Sequence, residues 1–280
     1  TLLASRDVIM PKEDPEAARV VQSQLESEGL RIMTNTRAER VRAVDGKKQI
    51  MAGGEIITVD EILIATGRTP NVGSLNLEAA GVDYDKKGIK VDAKLRTSNK
   101  RIYAAGDVIG GYQFTHVAGY EAGVAMQNAL IMPTKSADYR VIPWATFTEP
   151  ELARVGLTES QARDRYGDDV FVLKQGFDGV DRALAESAGY GFAKFITKKD
   201  GELLGAHIVG PHAGELIHEA VIAMSQKLKV SALQCIHVYP TLSEISPKTA
   251  LQLTKQKYAK NTFLQNCLRK FFNWRRSIAG

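Results

Sequence analysis

The residue types best suited to proton transfer are concentrated in one short stretch, IHVYPTLSE, near the carboxyl end of the sequence. In this stretch His237 and Tyr239 precede a proline, and Glu244 follows it. An imidazole with a pKa of about 6.5 suits acid–base chemistry at neutral pH, whereas a phenol with a pKa of about 10 is a poor base. A proline followed by Thr241 and Ser243 is also typical of a helix start. An acid–base site and a packed helix start therefore both remain open on this stretch alone.

Two further motifs place a glycine at the end of an apolar run. The first, ILIATGRTPN, contains Gly67, and the second, TSNKRIYAAGDV, contains Gly106 and Asp107. A glycine at the carboxyl end of a parallel strand lets a ligand approach the backbone. An aspartate directly after it can accept hydrogen bonds from sugar or ribityl hydroxyls, and the N–H groups that follow can bind a phosphate or a ring carbonyl. The plain alternative is a strand followed by a capped turn.

The first half of the chain supplies the elements that would position these motifs. TLLA, the helical pattern from Pro15 to Glu28, and LRIMTN predict a strand, a helix and a buried strand, which together form a βαβ unit. Turns at Asp45-Gly46 and Gly53-Gly54 then predict an antiparallel meander that returns to a further strand, EILIATG. RIYAAGDVIGG predicts one more strand, and an alanine-rich helix is expected from about Gln113 to Leu130.

The second half, from Val141 onward, has a different pattern. It is rich in β-forming runs, and Asp200-Gly201 between two of them is a strong hairpin signal. Helices are expected at about 213–227, at 231–236 and from Thr241 onward. This half therefore predicts an antiparallel sheet with helices on one side, an α+β domain distinct from the α/β part before it.

Composition narrows the function classes. The chain has 280 residues, of which 44% are hydrophobic and 25% charged, so it can bury one or two cores. The net charge of +5 is spread along most of the chain, and we expect no nucleic-acid partner. The two cysteines, Cys235 and Cys267, are too far apart for a metal knuckle or a CxxC pair, so we expect no metal site and a reducing cytoplasm. The opening TLLASRD, apolar and without a lead-in, indicates a fragment of a longer polypeptide.

Four motifs in order carry a family resemblance. ATGRTPN, RTSNKRIYAAGDV, FTEPELARVGLTE and HVYPTLSE together resemble the pyridine nucleotide-disulfide oxidoreductases, the flavoproteins that include dihydrolipoamide dehydrogenase, glutathione reductase and mercuric reductase. The resemblance runs from Thr1 to about Leu253. It implies FAD, NADP or NAD as cofactors, a homodimer, and a small-molecule disulfide or another electron acceptor as substrate.

The resemblance also divides the chain. Residues 1–65 would be the C-terminal part of the NAD(P)-binding domain, 66–138 the returning segment of the FAD domain, 139–255 the dimerisation domain, and 256–280 a basic amphipathic tail. The fold class expected is thus a partial NAD(P)/FAD-binding Rossmann-like part followed by an antiparallel-sheet dimerisation domain. The family's first FAD motif and its redox-active cysteine pair are absent from the sequence, so this fragment alone is expected to be inactive.

Cofactor-binding residues follow from the resemblance. Asp107 would hold the ribityl hydroxyls, and the backbone of residues 113–116 would approach the flavin ring, with a structural role favoured for His116. The full set of expected cofactor-binding positions is Asp107, Gly106, Gln113, Phe114, Thr115, His116, Gly67, Ala38, Ala4 and Arg6.

The end of the strand at Ala4 bears on the choice of nucleotide. NAD-preferring members present a carboxylate to the ribose diol there, whereas this chain has Ala4, followed by Ser5 and Arg6. Arg6 can pair with a 2′-phosphate. We therefore hypothesise that NADPH is used, the alternative being that Arg6 simply faces solvent.

At the substrate end, Tyr239 replaces the histidine that shuttles protons in dihydrolipoamide dehydrogenase, while Glu244 is retained and His237 matches a second histidine of some dehydrogenases. Tyrosine at this position resembles mercuric reductase, where it helps to bind the metal. The vicinal cysteine pair that mercuric reductases carry at their C-terminus is absent here, which weakens the metal hypothesis. The acceptor and the reaction direction stay open, and a catalytically incomplete flavin-binding dimerisation or membrane-associated module is the alternative to an enzyme.

The tail combines apolar and basic residues. A single helical face is expected to carry Phe263, Leu264, Cys267, Leu268, Phe271 and Phe272. This stripe would either cover the dimerisation domain or lie on an anionic membrane or a partner protein.

Overall fold

The computed structural model describes residues 1–279. The chain forms two compact units: Thr1–Thr58 together with the chain from Pro143 onward, and Val59–Ile142. The strands in chain order are β1 Leu2–Leu3, β2 Ile32–Met33, β3 Ala38–Val44, β4 Lys47–Ala52, β5 Glu55–Val59, β6 Tyr84–Asp85, β7 Gly88–Ile89, β8 Pro143–Thr146, β9 Glu151–Gly156, β10 Val170–Gly176, β11 Phe192–Lys198 and β12 Leu203–Gly210. The helices are α1 Pro15–Ser27, α2 Thr115–Leu130, α3 Glu159–Tyr166, α4 Asp181–Ala185, α5 Ala213–Leu216, α6 His218–Ser225, α7 Ile245–Lys260 and α8 Thr262–Ala279.

The predicted βαβ unit is confirmed at the start of the chain. Strands β1 and β2 pair in parallel, with Leu2 opposite Ile32, and α1 lies between them in sequence. Helix α1 begins where Asp14 caps it, since the Asp14 carboxylate accepts hydrogen bonds from the backbone N–H groups of Glu16 and Ala17 at 3.1 and 3.3 Å. Strand β2 is only half-buried, not fully buried as predicted.

The antiparallel meander is also confirmed. Strands β3, β4 and β5 form a three-stranded sheet in sequence order. Asp45 and Gly46 connect the first two strands with φ values of 47° and 77°. This left-handed backbone is what a type I′ hairpin turn requires, and the Asp-Gly pair supplies it.

A five-stranded antiparallel sheet dominates the second half, in the order β10-β11-β12-β9-β8. The predicted hairpin at Asp200-Gly201 joins β11 and β12, and the α+β class is confirmed. Strands β11 and β12 are buried along almost their whole length, so both sheet faces are covered. The prediction of helices on one side is therefore wrong, because α1 from the start of the chain packs against Leu152 and Val209 of this sheet.

Several predicted elements between residues 59 and 142 take another form. EILIATG is not a strand: Leu63 and Ile64 are 93% and 78% exposed, and within the described chain no strand lies beside them. A strand needs a hydrogen-bonded neighbour, and an apolar run alone does not provide one. RIYAAGDVIGG contributes only an isolated bridge from Tyr103 to Arg96, followed by a 3-10 turn at Gly106–Ile109.

Helical predictions in the second half hold in part. The pattern at 213–227 forms α5 and α6, but the one at 231–236 is a 3-10 turn at Val230–Gln234. A 3-10 turn at Leu242–Glu244 precedes α7, so the IHVYPTLSE stretch does lead into a helix. Of the tail residues expected to cover the dimerisation domain, only Leu268 is half-buried and the other five are exposed. Among the described helices, none is both long and apolar enough to cross a membrane.

Candidate functional site

The turn at Gly106-Asp107 is anchored by a buried carboxylate of α2. Gly106 has φ of +79°, and a Cβ there would come within 3.0 Å of the Ala118 Cβ, so only glycine fits closely. Its backbone N–H donates to Glu121 Oε2 at 2.6 Å. Glu121 is 1% exposed and its other oxygen accepts from the Tyr139 hydroxyl at 2.8 Å. The turn is therefore anchored to α2 by hydrogen bonds that leave Asp107 outside them.

Burial and the bond to Glu121 both affect Tyr139. Burial raises the pKa of the Tyr139 phenol, and the hydrogen bond to the Glu121 carboxylate raises it further. The phenol consequently stays protonated and acts as a donor over the whole physiological range. Glu121 and Tyr139 were absent from the sequence-based site, since no motif marks a carboxylate that supports a backbone turn from within a helix.

Asp107 is available to a ligand. Its side chain is about half exposed, and its Oδ2 lies 3.8 Å from Nη1 of Arg68. The same Arg68 Nη1 donates to the backbone oxygen of Gln113 at 3.0 Å. Arg68 thus brings the Asp107 turn and the entry to α2 together. Arg68 belongs to the ATGRTPN motif, of which only the glycine, Gly67, was predicted to bind a cofactor.

The start of α2 offers backbone donors. Phe114 occupies the position before the helix, and its side chain caps none of the first N–H groups. The Phe114 and His116 rings stack with centroids 5.4 Å apart. Uncapped N–H groups at a helix start carry partial positive charge and suit an anionic or carbonyl oxygen. The expected backbone role of Gln113, Phe114, Thr115 and His116 stays a prediction, with which this helix start is compatible.

The backbone conformation at position 67 favours glycine. Its φ is +141°, and a Cβ built there would meet no atom within 4 Å. Space is thus open beside Gly67, which is compatible with a ligand close to the backbone.

The predicted nucleotide residues lie on the loop that follows β1. The Ala4 N–H donates to Met33 O at 2.9 Å, and the Arg6 backbone oxygen accepts from the Asn35 N–H at 2.8 Å. These bonds fix the backbone of the loop. The Arg6 side chain is exposed and forms no ion pair within residues 1–279, while Ala38 begins β3.

Tyr239 projects from a cis Tyr239-Pro240 peptide and is 67% exposed. Its hydroxyl donates to Asp181 Oδ2 on α4 at 2.8 Å. This hydrogen bond to a carboxylate, assisted by the nearby charge of Asp181 itself, raises the pKa of the phenol. Tyr239 is therefore a proton donor or a neutral ligand at physiological pH, and less of it is ionised than of an ordinary tyrosine.

The other two predicted catalytic side chains have separate partners. Glu244 Oε2 accepts from the Thr241 N–H at 3.4 Å, which stabilises the start of the helix. The His237 ring contacts Glu219 through Nε2 at 3.2 Å and the Cys235 backbone oxygen through Nδ1 at 2.8 Å. Within the described part of the chain, Tyr239, His237 and Glu244 thus form no single hydrogen-bonded group. The helix-start interpretation of the stretch is confirmed, and its acid–base role stays a prediction.

Two family models match the chain. One, described as "Pyridine nucleotide-disulphide oxidoreductase", matches residues 1–122. The other, described as "Pyridine nucleotide-disulphide oxidoreductase, dimerisation domain", matches residues 142–250. The first match contains the turns at Gly67 and at Gly106-Asp107, and the second contains the five-stranded sheet.

Individual relatives agree with these models. A mercuric reductase of Staphylococcus aureus is 37% identical over 91% of this chain and 48% of its own length. A dihydrolipoyl dehydrogenase of Bacillus subtilis is 36% identical over 87% of this chain and 54% of its own length. The solved Cu(II) complex of the HOCl-induced flavoprotein disulfide reductase RclA from Escherichia coli has a TM-score of 0.82 and 30% identity, covering 89% of this chain and 57% of that one. The chain spans about half the length of the curated relatives it matches.

Proposed function

Because the chain belongs to the pyridine nucleotide-disulphide oxidoreductase family, we propose that it is the C-terminal part of an FAD-dependent oxidoreductase. When bound, FAD carries two electrons from NAD(P)H to a cysteine pair, from which they pass to an acceptor. The family resemblance implies that the first FAD-binding segment and that cysteine pair lie in the part of the relatives that this chain does not span. The family matches favour this enzyme hypothesis over a catalytically incomplete interaction module.

The observation that carries the proposal is the arrangement of Asp107 and the start of α2. Glu121 holds the Gly106 turn from inside, so the Asp107 carboxylate is left exposed to accept hydrogen bonds from ligand hydroxyls. Arg68 ties this turn to Gln113, next to the first N–H groups of the helix, which the Phe114 side chain does not cap. A hydroxyl acceptor and a row of N–H donors in one place fit the ribityl chain and ring edge of a flavin.

Flavin content tests this arrangement. In the intact protein, Asp107→Asn should lower the FAD bound per protomer at least about tenfold at limiting FAD, since a carboxylate acceptor is lost. Asp83→Asn is the matched control, because Asp83 is exposed in the same unit and has no side-chain partner within residues 1–279. Full flavin occupancy in Asp107→Asn, measured by absorbance after gel filtration, would overturn the assignment.

The nucleotide preference rests on the loop after β1. Arg6 is exposed and without an ion-pair partner in the described chain, and Ala4 offers no carboxylate to a ribose diol. We propose that the intact enzyme prefers NADPH and that Arg6→Ala raises KM for NADPH about tenfold while leaving KM for NADH unchanged. Arg19→Ala, an exposed arginine on α1, is the control. A tenfold preference of the unmodified enzyme for NADH would contradict the proposal.

The acceptor end rests on Tyr239. We propose that its phenol, oriented by Asp181, donates a hydrogen bond to the acceptor or binds it as a neutral ligand, because its raised pKa disfavours a base. The acceptor is a disulfide or a metal ion, with mercuric reductase and the Cu(II)-bound reductase among the similar proteins supporting the latter. Glu244 supports the position of Tyr239 by stabilising the helix start that follows it. His237 supports it through its contact with Glu219.

Two substitutions at one position separate these roles. Tyr239→His should raise dihydrolipoamide turnover of the intact enzyme by supplying a base of suitable pKa. Tyr239→Phe should lower turnover with the physiological acceptor class and leave reduction of the flavin by NAD(P)H unchanged. If neither variant changes acceptor turnover, Tyr239 has only a packing role.

The match to the dimerisation domain indicates a homodimer, and we propose that each acceptor site is completed by the partner protomer. Free, exposed Cys235 and Cys267 support a reducing compartment such as the cytoplasm. Light scattering of the intact protein should give twice the protomer mass. A monomer that retains full acceptor turnover would refute the shared site.

A further inference from the structure

Helix α8 leaves an apolar face uncovered. Six large apolar side chains on it are exposed by 41–77%: Phe263, Leu264, Phe271, Phe272, Trp274 and Ile278. Only Gln265 and Leu268 are half-buried among the α8 side chains that the structure describes. The match to the dimerisation domain ends at residue 250, before this helix begins. The apolar face is therefore an addition to the family domain and has no partner within the described chain.

The apolar residues lie on one side of the helix. At 100° per residue, Phe263, Trp274, Ile278, Phe271 and Leu264 fall within one third of the circumference, and Leu268 and Phe272 extend this face. The Phe271 ring packs against Phe272 and Trp274, with centroids 5.5 and 6.1 Å apart. The 18 residues of α8 span about 27 Å. The helix therefore presents a long, solvent-exposed aromatic face.

The charged residues of the helix all carry one sign of charge. Four basic residues, Arg269, Lys270, Arg275 and Arg276, lie on α8, and no acidic residue occurs in the sequence after Glu244. Two copies of this helix would bring eight positive charges together without a compensating carboxylate. A second copy of the helix is thus a poor occupant of the apolar face, whereas a negatively charged one is well matched.

Arg275 distinguishes a lipid surface from an acidic protein groove. On the helical projection it falls between Leu264 and Leu268, inside the apolar side. In a closed protein groove its guanidinium would be desolvated, but at a lipid surface its long stem can lie along the apolar region while the charge reaches the phosphate groups. Trp274, with a polar N–H at the edge of an apolar ring, also suits the boundary between headgroups and acyl chains.

We propose that α8 binds flat to an anionic lipid surface, with its aromatic side inserted at the headgroup boundary and its basic residues paired with lipid phosphates. The protein then docks on the membrane without crossing it. This inference goes beyond the oxidoreductase function and does not rest on it.

Co-sedimentation of the intact protein with vesicles tests the proposal. Vesicles of phosphatidylcholine with roughly one-third phosphatidylserine should pellet the protein, and pure phosphatidylcholine vesicles should pellet it at least about tenfold less. Raising the salt should release it, because the attraction between exposed charges is screened. Equal pelleting with both vesicle types, or none with the anionic ones, would overturn the proposal.

Variants separate the apolar and basic contributions. Phe271→Ser with Trp274→Ser, and separately Arg275→Gln with Arg276→Gln, should each lower anionic vesicle binding about tenfold. Lys86→Gln with Lys87→Gln is the matched control, since it removes two exposed charges elsewhere and should leave binding unchanged. Binding reduced equally by all three would show nonspecific charge attraction. Loss of self-association in the serine variant, with vesicle binding unchanged, would show instead that a second copy covers the helix.

Discussion

Two regions of the molecule are rich in basic side chains, and they differ in whether acidic residues lie beside those side chains. Across the five-stranded sheet, Lys174, Lys194, His207 and Arg154 stand opposite one another on neighbouring strands, forming a row that ends at Trp144. We call these four basic residues the sheet row. On α8 the four basic residues face solvent and have no acidic residue near them in sequence.

Acidic side chains from outside the sheet neutralise the sheet row. The Lys194 ammonium group lies 3.0 Å from Asp14, 3.2 Å from Glu16 and 3.0 Å from Glu159. Burial lowers the pKa of Lys194, but the hydrogen bonds to Glu159 and Asp14 outweigh burial and raise it overall. Like charges on adjacent strands repel, so the row is stable only with these carboxylates in place.

The difference shows that burial, more than the number of charges, decides whether a basic cluster stabilises the fold or remains available to a ligand. The side chain of Lys194 is 4% exposed, so losing a partner leaves a charge without solvent. Arg275 and Arg276 are exposed and keep their hydration when a partner is absent. The sheet row therefore joins α1 to the sheet, while the α8 charges remain available to a ligand from outside.

The largest effect is expected from Lys194→Met. It leaves the buried Asp14 carboxylate without its ammonium partner, which should lower the free energy of unfolding by about 3–5 kcal/mol. Urea unfolding of the purified protein at neutral pH measures it. Lys174→Met is the matched control in the same row, because that side chain is 46% exposed and its pair with Glu16 should contribute less than about 1 kcal/mol. Similar losses in both variants would contradict the role of burial.

Acid should weaken the sheet row through His207. This ring is fully buried, and burial followed by repulsion from Arg154 lowers its pKa to about 4. Between the ordinary value of about 6.5 and pH 4, the unfolded chain binds a proton that the folded chain does not. Stability should therefore fall by roughly 3 kcal/mol as the pH drops through this window.

His207→Gln isolates this contribution. Glutamine keeps a donor for the Leu157 backbone oxygen, which His207 Nε2 contacts at 3.1 Å, but does not titrate. The variant should lose the pH dependence between about 6.5 and 4 while keeping the losses at lower pH that come from the carboxylates. An unchanged slope in His207→Gln would show that other groups cause the acid sensitivity.

Local turn chemistry explains what the sequence could predict. Asp45, Gly46 and Gly201 adopt the left-handed backbone that Asp-Gly pairs favour in tight turns, so both hairpins were predicted at the right place. The βαβ start was predictable because Pro15 and the apolar spacing of α1 are local signals. In contrast, EILIATG has the composition of a strand but no neighbouring strand in the described chain.

The parts that sequence reasoning missed depend on distant pairing. Tyr239 was selected from its motif as a catalytic candidate, a role that stays a prediction, but its partner Asp181 lies 58 residues earlier and carries no motif that marks it. The sheet row depends on the register of three strand pairs, which set Lys194 opposite His207 and His207 opposite Arg154. No motif encodes such a register, because it results from the packing of whole strands.

Asp14 and Glu13 provide a finer comparison inside the buried region. Burial raises the pKa of Asp14, but His207 and Lys194 outweigh burial and lower it overall. Burial also raises the pKa of Glu13, and its hydrogen bond from Trp144 at 2.8 Å does not reverse this. Asp14→Asn keeps the helix cap and removes the charge, so it should cost about 2 kcal/mol at neutral pH.

Glu13→Gln is the counterpart, because it keeps an oxygen for Trp144 and removes a charge that burial disfavours. It should change the free energy of unfolding by less than about 1 kcal/mol. The cost of Asp14→Asn should vanish as the pH falls through the lowered pKa of Asp14, because the native carboxylate is then protonated too. Equal costs for the two variants would mean that neighbouring ion pairs, rather than individual partners, set the stability.

The smallest effect is expected on α8. Arg275→Gln with Arg276→Gln removes two exposed charges without stranding a buried partner, so urea unfolding should change by no more than about 0.5 kcal/mol. A loss approaching that of Lys194→Met would show that these arginines are bound within the protein, as the sheet row is. A small change combined with a tenfold loss of vesicle binding would separate the two basic regions completely: the charges of one hold the fold together, and those of the other bind an external surface.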